Sequence, residues 1–181
     1  PVSCYELRNF MHPSVILKSG KDIPLRAGHP WVFSNAIDKI EGKPGPGDLV
    51  IVRAQNNEAV GLGTWNGLNS IRVRILDRDA NRLIDKNFFA ERFAALDAWK
   101  QAHLPEATNG YRLVHAEADG LPGLIVDRYA NTFVFQIHTV GMDRFRGEIV
   151  DALIATFKPD AIVERSDIDS RTREGLGPLP P

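Results

Sequence analysis

The sequence predicts a mainly β N-terminal barrel followed by a small α+β layer, and three patterns carry that reading. Short strand-like runs separated by Gly- and Pro-rich turns fill the first 80 or so residues. From Asp85 the apolar period changes to steps of three and four, the signature of an amphipathic helix. Beyond residue 110 short strands return and alternate with one more helical stretch. The chain is 181 residues long, enough for one large or two small domains. The patterns divide it into a barrel over 14–82, an α+β domain over 83–174 opened by a linking helix, and a linker over 175–181.

In order, Val15 to Lys18 reads as a strand ended by the turn formers Ser19 to Asp22. At His29-Pro30, proline steric clash keeps His29 out of the helical region and presents it on a bend. Glu41 to Asp48 holds five Gly or Pro residues in eight and must be a loop. Leu49 to Arg53, Val60 to Trp65 and Ile71 to Leu76 follow as strands. The last alternates apolar with basic residues, so Arg72 and Arg74 share one face and the apolar side chains fill the other. Phe88, Phe89, Phe93, Leu96 and Trp99 mark the buried stripe of a helix over Asp85 to Gln101. Tyr111 to His115, Leu124 to Tyr129, Thr132 to Ile137 and Ala161 to Glu164 are strands, and Met142, Phe145, Ile149, Leu153 and Phe157 step through one helix stopped by Pro159.

Several function classes are excluded. The composition, 43% apolar and 25% charged, is that of an ordinary globular chain, and no run of 18 uncharged apolar residues is present to span a membrane. The N-terminus lacks an apolar signal core, and the single cysteine, Cys4, has no partner for a disulfide, so the expected compartment is the reducing cytoplasm. The five histidines show no paired spacing, so no metal site is expected. There is no P-loop and no nucleophile elbow. Gly61-Leu62-Gly63-Thr64-Trp65-Asn66-Gly67 is glycine-rich, but its third glycine falls one place late for a dinucleotide fingerprint; it reads as strand and turn. Asp127 reads as a strand carboxylate paired with Arg112 or Arg128.

The formal charge of −1 hides an asymmetry. Residues 1–82 carry 11 Lys and Arg against 8 Asp and Glu, and residues 83–181 carry 11 against 15. The first part is therefore the one suited to phosphate. Arg72 and Arg74, with Arg53 and Lys18, could make a basic face, and Trp31 and Trp65 could lend aromatic surface for stacking bases; the alternative for both tryptophans is burial in the core.

Three stretches resemble one family. Leu17 to Ile37, with Gly28-His29-Pro30-Trp31-Val32-Phe33-Ser34-Asn35-Ala36-Ile37 and the later Gly47-Asp48-Leu49-Val50, resembles the N-terminal PUA domain of SAM-dependent large-subunit rRNA cytosine-C5 methyltransferases. Tyr111 to Tyr129, containing Glu117-Ala118-Asp119-Gly120-Leu121-Pro122-Gly123, resembles that family's central domain. Glu164 to Leu176 is similar to the segment preceding its catalytic domain.

The resemblance implies a PUA-like RNA-binding barrel and a central α+β domain, without the SAM-binding Rossmann-like domain and its cysteine nucleophile. Cys4 lies outside every matched stretch. It implies an RNA-recognition portion, inactive alone, with no cofactor in this chain and S-adenosylmethionine in the full-length parent. The implied partner is RNA, specifically rRNA, with no membrane; self-association is left open. Lys18, Lys21, Arg26 and His29 would contact phosphates or base edges beside Trp31, and Arg72 and Arg74 would flank them. Glu117 and Asp119 could line a cleft toward the catalytic domain, or simply belong to a hairpin turn. Two other classes compete: a stand-alone RNA-binding or ribosome-assembly protein, and a barrel that binds protein.

Overall fold

The computed structural model describes residues 12–167 and 169–177, which divide between Arg82 and Leu83 into two units. Cys4 and the last four residues of the expected linker lie outside the described residues.

The first unit contains β1 (Ser14–Leu17), α1 (Ile23–Arg26), β2 (Trp31–Phe33), β3 (Ile37–Glu41), β4 (Leu49–Arg53), β5 (Ala59–Trp65) and β6 (Ile71–Asp77). The strands form one sheet in the order β2-β6-β5-β4-β1-β3, in which only β1 and β4 run parallel. Val15 and Leu17 of β1, Leu25 of α1, Val32 of β2, Val50 and Val52 of β4, Trp65 of β5 and Val73 and Ile75 of β6 belong to one buried cluster. A flat sheet cannot bring strands from its two ends to one core, so this one curls into a half-barrel. The 3₁₀ turn Ser34–Ala36 links β2 to β3, and the Lys18 backbone N–H donates to the Ala36 carbonyl at 2.9 Å.

Two short strands and α1 were not among the expected elements. β2 and β3 each lie at an end of the sheet, so only part of their surface is buried and their apolar signal is weak. α1 is one turn, too short to show a period. Trp31 corrects the core alternative: successive strand residues point to opposite faces, and here Val32 enters the core while Trp31 and Phe33 point away from it. Trp65 is in the core.

The glycine-rich run is β5, and packing explains its glycines. A methyl group at Gly63 would stand 2.4 Å from the Arg74 carbonyl oxygen, and one at Gly61 would stand 3.0 Å from the Asp77 carbonyl oxygen. The β5–β6 register slips between Leu62 and Gly63, bringing the two backbones close.

The second unit holds β7 (Gly110–His115), β8 (Leu124–Tyr129), β9 (Thr132–Ile137) and β10 (Ala161–Glu164) in the order β10-β9-β8-β7, with β9 and β10 parallel and the rest antiparallel. The helices are α2 (Lys86–His103), α3 (Val140–Arg144), α4 (Arg146–Phe157) and α5 (Ser170–Arg173). Asp85 caps α2, its carboxylate accepting from the Asn87 and Phe88 N–H groups at 2.9 and 3.0 Å. α2 packs on α4, with the Phe89 ring 5.8 Å from that of Phe145.

Two expectations are corrected here. Phe88, Phe89 and Phe93 are buried as expected, but Trp99 is 56% exposed and stacks on His103 at 4.4 Å. The buried stripe of α2 therefore fades before its last turns. The single helix expected over Met142 to Phe157 is two, because the chain leaves helical geometry at Phe145 (φ −100°, ψ 17°). The break places Asp143 of α3 beside Arg146 of α4, which also pairs with Glu164. Arg171, 3% exposed, donates to Asp143 at 3.1 Å and to the Ile137 carbonyl at 3.1 Å, fastening the segment after β10 to α3 and β9. Ser166 adds a buried bond from the Ile137 N–H at 2.9 Å.

Candidate nucleic-acid interface

The barrel gathers part of the expected RNA-binding set along β2 and β6. Trp31 sits directly opposite Arg74 in the antiparallel register, so their side chains leave the sheet on the same face. Val32 pairs with Val73 and Phe33 with Ile71, which leaves Arg72 as an extra residue on β6. Such a bulge re-aims its side chain. Val73 and Ile75 are buried as the alternation expects, whereas Arg72 lies at the bulge and Leu76, on the parity of the arginines, is buried as well.

His29 joins Trp31 through its imidazole. The Trp31 N–H donates to His29 Nδ1 at 3.2 Å, and the rings meet edge to face at 5.7 Å. Phe33 completes the cluster, 6.2 Å from Trp31 at 89° and 6.0 Å from His29. Phe33 was missed by the sequence reading, although its i, i+2 spacing from Trp31 across buried Val32 was the available signal. Lys18 reaches the same end of β2: its Nζ donates to the Asn35 carbonyl at 3.1 Å, two residues beyond Phe33.

Other expected residues are placed differently. Lys21 is exposed on the turn after β1. Arg26 is held by carboxylates, with Nε on Asp22 at 2.8 Å and a bidentate pair to Glu58 at 3.0 and 2.8 Å. These bonds raise the Arg26 pKa, while Arg26 lowers that of Asp22 and of Glu58. A phosphate would have to displace two carboxylates to use this guanidinium. Arg53 is engaged by Ser14 Oγ at 3.3 Å and the Asn57 carbonyl at 3.0 Å.

In the second unit, Asp119 accepts from the His115 N–H at 2.7 Å and so closes the 3₁₀ turn Ala116–Asp119. That is a structural use of its carboxylate. Gly123 takes φ +82°, and a methyl group there would collide with Thr139, the N-cap of α3. Glu117 is half-buried and acts electrostatically on His138, whose Nε2 lies 3.1 Å from the Gln136 side-chain oxygen. Burial pushes the His138 pKa down, and Glu117 opposes that shift. Asp127 pairs with Arg112, as one of its two expected partners, at 2.8 and 3.1 Å.

The outward aromatic residues and the basic strand lie within one recognisable module: the PUA-like domain family matches residues 15–78. Curated relatives extend the similarity through the second unit. A protein named ribosomal RNA large subunit methyltransferase I from Shewanella amazonensis is 45% identical over 161 residues, 88% of this chain and 41% of its own length. One of the same name from Pseudoalteromonas translucida is 41% identical over 170 residues, 93% of this chain and 43% of its own. The chain thus spans about two fifths of the length of these relatives. A solved structure provisionally named a SAM-dependent methyltransferase, from Streptococcus mutans, shares the fold with a TM-score of 0.69 at 17% identity, covering 86% of this chain and 41% of that one.

Gly61 and Gly63 do not form a cradle for S-adenosylmethionine. The one glycine-rich run with any likeness to a nucleotide loop is a strand, and the space beside Gly61 and Gly63 is filled by the β6 backbone. No methyl-transfer step is therefore derived through them. Among the described residues no three His, Cys, Asp or Glu side chains gather as a metal site, and no helix is long and apolar enough to cross a membrane.

Proposed function

We propose that this chain is the RNA-recognition portion of a SAM-dependent rRNA cytosine-C5 methyltransferase, acting in the cytoplasm, with methyl transfer carried by sequence that the relatives have beyond the part matched here. The observation that carries the reading is the grouping of exposed Phe33 with half-buried Trp31, Arg72 and Arg74 on β2 and β6, within the residues that match the PUA-like family, with Lys18 reaching the Asn35 carbonyl just past β2. The relatives' shared name supplies the substrate class.

The physical division of labour is coherent. A cytosine must leave its stack before its C5 can be reached, which costs a few kcal/mol, and a separate module that grips the surrounding RNA offsets part of that cost. Cationic side chains provide salt-dependent attachment, and base contacts provide register. Lys18, Lys21, Arg72 and Arg74 are assigned to phosphate, and His29 and Trp31 to the base side of the same surface. Arg26 is assigned to the fold of the barrel rather than to RNA, because Asp22 and Glu58 occupy it.

The test is binding of an rRNA fragment to the intact chain by fluorescence anisotropy across a salt series. Affinity is expected to fall steeply with salt, with a log–log slope of about −2 to −3 for three or so phosphates. A flat salt dependence would favour a protein-binding barrel. Methyl transfer from SAM to rRNA by this chain alone is expected to be blank, and clear turnover would overturn the assignment of chemistry to another part.

A further inference from the structure

The three rings on β2 specify more than electrostatic attachment. Phe33 lies next to buried Val32, yet keeps 38% of its surface open on the opposite face. Trp31 and His29 brace it at ring separations of 6.2 and 6.0 Å, so an exposed aromatic surface is held rigidly by its neighbours. Rigid, partly open rings stack on flat partners at little entropic cost. Cationic groups lie on both sides: Arg74 on β6 across from Trp31, Arg72 at the β6 bulge next to Ile71, the partner of Phe33, and Lys18 beyond the end of β2. Lys18 donates to the Asn35 carbonyl, which leaves its charge in place.

We infer that His29, Trp31 and Phe33 form a stacking subsite for one unpaired nucleobase, with Arg72, Arg74 and Lys18 holding the flanking phosphates. This deepens the RNA reading on which it rests, by naming the RNA class and by adding Phe33. In continuous A-form duplex each base face is covered by its neighbours, so a stacking platform has nothing to take. A single strand, loop or bulge presents the face. Alternating planar and cationic contacts suit such a strand, because stacking tolerates any base and the cations follow its backbone. An apolar protein partner would gain nothing from three cations placed around so small a patch.

The test uses the intact chain and a short single-stranded RNA carrying one 2-aminopurine, alone and annealed to its complement. The single strand is expected to bind roughly tenfold tighter than the duplex and to change its 2-aminopurine emission on binding. Phe33→Ala should weaken single-strand binding by roughly tenfold and remove the emission change, leaving the salt slope unaltered, and Phe33→Tyr should restore both. Arg72→Gln should do the reverse, reducing the slope by about one while the emission change persists at saturation. Phe33 is outside the buried cluster, so both of its variants should melt within about 2 °C of the parent. If duplex binds as tightly, or if Phe33→Ala keeps the emission change, the stacking subsite is overturned and the RNA reading survives. If the parent chain binds neither RNA at low salt, both fail.

Discussion

Replacing Gly63 with alanine probes the register that places Arg74 beside Trp31. The added carbon would lie 2.4 Å from the Arg74 carbonyl oxygen, 2.7 Å from Val73 Cγ1 and 2.9 Å from the Arg74 carbonyl carbon. Ordinary contacts between such atoms begin near 3.4 Å, so β5 and β6 must part locally by about 1 Å. Two of these atoms are backbone, which cannot swing aside as a side chain can. Overpacking of this kind costs about 1–3 kcal/mol, and a weakened ladder bond adds about 1 kcal/mol. Alanine's advantage over glycine in a strand returns about 0.5–1 kcal/mol. The net loss is about 2 kcal/mol, a fall of roughly 10 °C in melting temperature for a unit of this size. Scanning calorimetry of the intact chain, with tryptophan emission reporting on Trp65 in the first core, measures it. Gly147→Ala is the control: nothing lies within 4 Å of its added carbon, and a gain of about 0.5 kcal/mol is expected in α4. A Gly63→Ala chain melting within about 2 °C of the parent would refute the slipped β5–β6 register.

Three further outcomes follow from the second unit. Asp143→Ala leaves the buried Arg171 guanidinium and Arg146 without a shared carboxylate and should cost about 3 kcal/mol in urea unfolding, far above a surface change. Trp99→Ala should cost less than about 0.5 kcal/mol, because the ring is exposed; a loss of core size, about 3 kcal/mol or more, would restore the buried stripe expected from the sequence. Burial lowers the His138 pKa, so the fold favours its neutral form: that contribution is complete above the unfolded value and is lost as pH falls toward the folded one. Melting temperature should therefore drop from about pH 7 to about pH 5, and His138→Gln should make the drop shallower.

Much of this fold was legible because its patterns are local. β4, β5, β6, β8 and β9 are apolar or alternating runs bounded by Gly, Pro and Asn, and each turn signal acts within a few residues of itself. The helix α2 was legible from its phenylalanines, while Asp85, expected as its first residue, is its cap. β2 and β3 were not, because three- and five-residue strands at the ends of a sheet bury too little to enforce a pattern. The break at Phe145 was equally hidden, since the apolar spacing of Met142, Phe145 and Ile149 continues across two helices as smoothly as along one.

The candidate site divides in the same way. Residue types and spacing alone established that β6 alternates basic with apolar side chains, that the first part of the chain is the more basic, and that proline puts His29 on a bend. Only the tertiary structure decided which tryptophan faces outward, added Phe33 to the cluster, brought Lys18 to the end of β2 and tied Arg26 to Glu58. The reason is physical: alternation along a strand assigns residues to two faces but does not say which face the barrel will close around. That choice is made where β1, β2, β4, β5 and β6 meet at one core, through contacts between residues far apart in the chain.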